Sequence, residues 1–298
     1  MRVLVFGAGS LGSLIGGLLA RSHDVTLVGR RPHVRAIRDA GLRIEGEVSA
    51  TVHPDAATTV PAGEFDLALV TVKTYDTDEA ATALADADAG LDAVCSLQNG
   101  LDNERRLAAA LDVPVLAGTC TYGARVVEPG HVECTGVGVV ALGPRDGGES
   151  ALANEVGAAF GVAGVETTVA VDMPRRLWQK LAVNAGINAV TALARVDNGA
   201  VVAGPAGDVA RAAARETARV AREAGIDLDP DDAAVAVTDV AAATAANVSS
   251  MRGDVEAQRR TEIDAINGTV VDHADGTVPV NETLTALVRA WERERGLR

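Results

Sequence analysis

"RVLVFGAGSLGSLIGGLLA", residues 2–20, decides the fold of this 298-residue chain. Five β-prone residues run into Gly7-x-Gly9-x-x-Gly12, and an apolar helical pattern follows. In such a turn the first glycine permits a tight reversal. The second lets backbone approach a pyrophosphate, and the third lets helix pack on strand. The helix N-terminus then offers unpaired N–H groups to the phosphates. A glycine turn alone is a weak signal. Here "HDVTLVG", residues 23–29, supplies a second strand directly after the helix, which completes the start of a dinucleotide-binding domain. Gly7, Ala8, Gly9, Ser10, Leu11 and Gly12 are therefore the expected cofactor turn.

The second strand ends at Arg30-Arg31. An NAD site usually has Asp or Glu there, on the ribose 2′-hydroxyl; two arginines suit a 2′-phosphate. Solvated surface charge is the other reading, and NADPH/NADP is the expected cofactor. The alternation continues through "DLALVTV", which ends at Lys73, and "DAVCSL", which ends at Gln98-Asn99-Gly100. "PVLAGTCTYGA" reads as a further strand. Ligands of open α/β sheets bind beyond the carboxyl ends of strands, where Lys73 and Asn99 fall. "ARVVEPGHVECTGVGVVALG" alternates and turns at Pro129-Gly130 and Gly136, so antiparallel strands extending the sheet are expected. "ETTVAVDMPRR" reads as a last strand and a hinge. The expected architecture is α/β, with a Rossmann-type domain over 1–170 and an all-helical domain over 171–298.

The bulk numbers narrow the function. A net charge of −14 argues against nucleic acid or an anionic membrane as partner. With 48% hydrophobic but only 2% aromatic residues, Ala, Val and Leu must fill the core. Acidic excess and scarce Lys resemble proteins of salt-loving organisms. The cysteines Cys95, Cys120 and Cys134 have no close pairs and read as buried thiols in a reducing compartment. The five histidines show no metal spacing. No signal peptide or membrane-length apolar run is visible, so a cytoplasmic enzyme is expected.

The second half is helical and Ala-rich. Within a nearly all-apolar helix over Arg175–Leu193, Lys180, Asn184 and Asn188 stand at i, i+4 and i+8 and form one stripe. Only two of the 27 basic residues are lysine, Lys73 and Lys180. Lys can give up a proton, and Arg in a protein cannot. A buried ammonium and two buried amides need partners. Either a carboxylate and backbone satisfy them, or they line a wet cleft for a polar ligand. In "NVSSMRGDVEAQRRTEIDAING", residues 247–268, Ser249 and Ser250 could cap a helix. Thr261-Glu-Ile-Asp264 reads as a capping box, with a loop expected between Met251 and Arg260. On one straight helix Ser250 and Glu262 would stand roughly 18 Å apart, too far to share a small substrate. Glu262 is the natural partner for Lys180.

Taken together, "GAGSLG", "VTVKTYD", "QNG", "WQKLAVNAGIN", "NVSSM" and "TEIDAING" resemble the ketopantoate reductase (2-dehydropantoate 2-reductase) family in order and spacing over the whole chain. The resemblance implies a Rossmann domain and a helical domain with the active site between them. It implies reduction of ketopantoate to pantoate with NADPH, on the way to coenzyme A. Lys180 is then the catalytic acid. Asn99, Asn184, Asn188, Asn198 and Ser250 bind substrate beside it. Arg30, Lys73, Asn99, Ala124 and Glu262 join the glycine turn at the cofactor. The partner is a small 2-oxo acid, and a homodimer is allowed. The alternatives are a sister enzyme acting on another 2-oxo acid or an imine, and a non-catalytic dinucleotide sensor.

Overall fold

The computed structural model describes all 298 residues. The chain divides into two compact units. One holds Met1–Gln98 and Asp102–Met173, the other Asn99–Leu101 and Pro174–Arg298.

In the first unit β1 (Arg2–Phe6) leads through α1 (Ser10–Leu19) into β2 (Asp24–Val28) and α2 (Arg31–Ala40). Short strands follow: β3 (Leu42–Gly46), β4 (Ala50–Val52), β5 (Asp55–Ala57) and β6 (Gly63–Phe65). Next come β7 (Leu67–Val70), α3 (Thr77–Ala85), β8 (Ala89–Leu91), β9 (Val94–Ser96), α4 (Asn103–Ala110) and β10 (Val115–Cys120). The unit finishes with β11 (Gly123–Glu128), β12 (His131–Gly136), β13 (Val140–Pro144), α5 (Ala151–Val162) and β14 (Thr167–Val169).

The main sheet has the order β5-β2-β1-β7-β9-β10-β13-β14. Pairs from β5 to β10 are parallel, and β13 runs antiparallel to β10. From β1 the chain moves outward to β2 and β5, then returns to β7 on the other flank. That reversal is the switch point at which such sheets bind ligands. Phe6 pairs with both Val28 and Val70, so the carboxyl ends of β1, β2 and β7 are level there. Both faces are buried. Val3 and Val5 join the cluster of Leu14, Leu18 and Phe160, while Leu4 joins that of Ala80, Leu84 and Leu107. Alternate residues of one strand thus serve opposite cores, as a doubly covered parallel sheet requires.

The expected sheet extension is only partly present. β13 extends the main sheet, but the β11–β12 hairpin leaves it and forms a second sheet in the order β11-β12-β3-β4. The cause lies in α1, where every residue from Gly12 to Leu19 is buried. A helix apolar all round needs cover on both sides. A Cβ at Gly16 would meet Leu27 and Val5 of the main sheet, whereas one at Gly17 would meet Ile44 and Leu42 of the small sheet. The two glycines let α1 sit between two layers.

The second unit is built around α6 (Met173–Ala194), longer at each end than expected. Pro174 is tolerated in its first turn. Arg195, at φ 56°, takes the left-handed conformation that commonly ends a helix. Then come α7 (Gly204–Glu223), α8 (Pro230–Ala243) and α9 (Ser250–Glu256). A π-helical turn (Asp264–Gly268) runs into α10 (Thr269–His273), and α11 (Pro279–Arg293) follows. A Cβ on Gly186 of α6 would stand 2.8 Å from Ala210 O and from Val237 Cγ2, so glycine sets the close approach of α6 to α7 and α8. No helix is long and apolar enough to cross a membrane.

Two expectations for residues 247–268 are corrected. The stretch expected as a loop from Met251 to Arg260 is mostly helix α9, capped by Ser249, whose Oγ accepts from Arg252 N. The break runs from Ala257 to Ile263, and Gln258 within it adopts φ 51°. The chain nevertheless bends, so Ser250 and Glu262 do not share a straight helix. Nor does Thr261 form a capping box with Asp264. Its N–H and hydroxyl both donate to Glu292 Oε1, and Asp264 pairs with Arg289 and Arg298. A carboxylate brought in from α11 takes the place of the local one.

Candidate active site

The glycine turn of the first unit is a cradle by construction. Gly7 has φ +117°, and a Cβ there would stand 2.7 Å from Val72 N. A Cβ on Gly12 would lie 2.2 Å from Gly7 O and 2.4 Å from Thr71 Oγ1. Above Gly9 the space is open, its nearest neighbour being Gly7 O at 3.9 Å. The first and third glycines are thus required by packing, and the exposed second one leaves backbone accessible. No side chain caps α1, whose N-terminus faces this turn. Val28 O accepts from both Gly7 N (3.0 Å) and Ala8 N (2.8 Å), which ties β2 to the turn. Two residues beyond that tie stands exposed Arg30, the N-cap residue of α2. Thr71 Oγ1 donates to Gly7 O at 2.9 Å, and half-buried Lys73 follows two residues later. Ser10 Oγ accepts from Val126 N at 3.2 Å, which holds Ala124's strand β11 against the start of α1. Gly7 to Gly12, Arg30, Lys73 and Ala124 therefore belong to one region of this unit. Its open backbone at a helix N-terminus and its basic rim fit a dinucleotide phosphate chain.

In the second unit α6 carries Lys180, Asn184 and Asn188 on one stripe. Asn188 is buried, while Lys180 and Asn184 are half-buried. The lysine is therefore not sealed in the core, because the stripe borders accessible space. Asn99, grouped with this unit, lies three residues beyond the end of β9. Its Nδ2 donates to Glu262 Oε2 at 3.0 Å, and Asn184 Nδ2 donates to Asn99 Oδ1 at 3.4 Å. The chain Asn184–Asn99–Glu262 joins residues spread over more than 160 positions. Glu262 is buried, and the Asn99 bond satisfies one of its oxygens.

Neighbouring contacts set the other candidates. Ser249 Oγ lies 2.7 Å from Thr191 Oγ1, one turn beyond Asn188 on α6. Ser249 is consumed as cap and anchor, which leaves the exposed Ser250 beside it. Asn198 N donates to Asn247 O, and Arg252 pairs with Asp197, so Asn198 is bound to the same segment. Asn198 Oδ1 is buried without a hydrogen-bond partner, while its Nδ2 donates to Thr244 Oγ1.

Several supporting residues escaped the sequence reading. Gln98 Nε2 donates to Val72 O and Thr77 Oγ1 and so fixes the strand end before Asn99. Asn267 Nδ2 donates to Ala185 O and Asn281 Oδ1, pinning the π-helical turn to α6 beside Asn184. Thr191 could have been found as the next polar residue along the Asn188 stripe. Asn267 and Glu292 carried no local signal. No group of three or more His, Cys, Asp or Glu is arranged to hold a metal ion.

Residues 3–147 match the ketopantoate reductase PanE/ApbA family, and residues 172–292 match the family's C-terminal region. This chain belongs to the ketopantoate reductase family. It is 43% identical to a 2-dehydropantoate 2-reductase of Halobacterium salinarum, covering 99% of this chain and 100% of the relative. It is 41% identical to one of Archaeoglobus fulgidus, covering 86% and 84%. The crystal structure of a PanE/ApbA family ketopantoate reductase from Ralstonia eutropha superimposes with a TM-score of 0.89, at 34% identity, over 99% of this chain and 100% of that one. The chain is thus an oxidoreductase with the fold of that family. Chemistry of this kind uses a nicotinamide dinucleotide, which the Gly7–Gly12 turn is shaped to accept.

Proposed function

We propose that this chain reduces 2-dehydropantoate to (R)-pantoate with NADPH, as a cytoplasmic step toward pantothenate and coenzyme A. The observation that carries the reading is the Asn184–Asn99–Glu262 hydrogen-bond chain, one helical turn from Lys180. The substrate is taken from the relatives, which bear the name 2-dehydropantoate 2-reductase. Three buried, free cysteines suit a reducing compartment.

A bound nicotinamide dinucleotide would supply the hydride that adds to the ketone carbon. The carbonyl electron pair then moves onto oxygen, where negative charge builds. Lys180 Nζ donates a hydrogen bond to that oxygen and then its proton, leaving the alcohol and a neutral amine that solvent reprotonates. Ser250 and Asn198 hold the substrate's carboxylate and hydroxyl, with Asn188 and Asn184 along the same stripe. Asn99 would contact substrate and cofactor, and Glu262 keeps Asn99 oriented through its 3.0 Å bond. Glu262 would serve the nicotinamide ribose as well, as the family resemblance implies. Arg30 would meet the 2′-phosphate, and Lys73 and Ala124 would border the cofactor with the glycine turn.

The test is NADPH consumption in high salt with 2-dehydropantoate and a panel of other 2-oxo acids. The highest kcat/KM is expected for 2-dehydropantoate. A rival acid with a higher value would move this chain to a sister activity, and inactivity with every acid would leave a dinucleotide-binding protein without this catalysis.

A further inference from the structure

We infer that Glu292 is a positioning residue for Glu262, acting through Thr261. The inference rests on the reading of Glu262 as part of the site. Glu292 lies on α11, thirty residues away in sequence, and its residue is 0% exposed. A buried carboxylate must be fully bonded to be tolerated. Glu292 commits Oε1 to a single residue, accepting from Thr261 N and from Thr261 Oγ1, both at 2.7 Å. Its Oε2 accepts from Arg298 Nε at 2.9 Å. The Thr261 hydroxyl oxygen in turn accepts from Ile263 N at 3.2 Å. The residues immediately before and after Glu262 are thereby held by one anchored hydroxyl.

The far side of Glu262 is tied to the same arginine. Arg298 also pairs with Asp264, whose other oxygen accepts from Arg289 Nε at 2.8 Å. Glu292, Arg298 and Asp264 therefore bracket Glu262 on both sides. Short charge-assisted bonds of this kind are strong and directional. They hold a backbone from which the Glu262 carboxylate reaches Asn99 Nδ2 at 3.0 Å. The segment continues as a π-helical turn, a rare form found frequently at functional sites. Positioning errors well below a bond length lower turnover, so support of this kind reaches the chemistry without touching it.

The test compares Glu292→Gln, Thr261→Val and Thr261→Ser with the unmodified protein, by thermal melting, NADPH binding, steady-state kinetics and the side-chain amide NMR signals of Asn99. Glu292→Gln could fail to fold, and the near-isosteric Thr261 pair carries the test in that event. Thr261→Val is expected to melt cooperatively and to bind NADPH within about threefold, while kcat/KM for 2-dehydropantoate falls at least about tenfold. The Asn99 amide signals should move in Thr261→Val and return in Thr261→Ser together with activity. A purely structural contact would lower the melting temperature and leave the Asn99 signals where they were, and that result overturns the inference. So does a Thr261→Ser variant as impaired as Thr261→Val. If the unmodified protein fails to reduce 2-dehydropantoate, the functional proposal falls, and the Asn99 signals still decide the positioning role.

Discussion

In the proposed mechanism most rests on Lys180. In a chain with only two lysines among 27 basic residues, one of them stands on α6 one turn before Asn184. Arg can supply charge to a developing oxyanion but not a proton. Lys180→Arg is therefore expected to keep the fold and most cofactor affinity while turnover drops at least about 10²-fold, the lower range for a general acid. Near-normal turnover would remove Lys180 from that role. Arg30 makes the second single-residue case. It is exposed two residues beyond the Val28 carbonyl that holds the glycine turn. Arg30→Ala should lower the NADPH-to-NADH ratio of kcat/KM at least about tenfold, as loss of a charge-assisted phosphate contact implies. The measurement belongs at low salt, because molar salt screens an exposed pair.

Helix α4 shows what an element can do to a buried charge. Glu104, in its first turn, is buried, and its Oε2 has no partner. Burial pushes this carboxyl up to about 7, against the pull of its own backbone amide and the Arg145 guanidinium. The unfolded chain ionises it near the ordinary carboxylate range, so folding holds the proton between the two values. Stability associated with Glu104 is complete below the unfolded value and is lost as pH rises toward about 7. Glu104→Gln should thus leave stability at low pH little changed. At pH 8 it should gain about 1–3 kcal/mol over the parent, read by urea unfolding at both pH values. An equal effect at both would show that ionisation of Glu104 is not the source.

For the molecule as a whole, a charge of −14 makes the compact state repel itself at low ionic strength. Salt shortens the range of that repulsion. Raising KCl from 0.1 M to 2 M is expected to raise the melting temperature by about 5 °C or more. A flat or falling curve would mean that surface carboxylates are already balanced locally. The acidic, lysine-poor composition is of a piece with the 43% identity to a Halobacterium salinarum enzyme.

Much of this protein was legible in the chain itself, because the signals were local. A strand, three spaced glycines and a helix lie within twenty residues, and each glycine's role depends on atoms a few ångströms away. The stripe of Lys180, Asn184 and Asn188 follows from helical period alone. What tertiary structure decided were matters of partnership. Nothing near residue 124 says that β11 and β12 leave the main sheet to cover α1, since that depends on the all-round burial of another element. Thr261 and Asp264 have the spacing of a capping box, yet a buried carboxylate from α11 competes for Thr261 and arginines from farther on claim Asp264. The Asn184–Asn99–Glu262 contact is likewise invisible in one dimension, because sequence spacing dictates which face a side chain takes, whereas the partner it meets there depends on how distant elements pack.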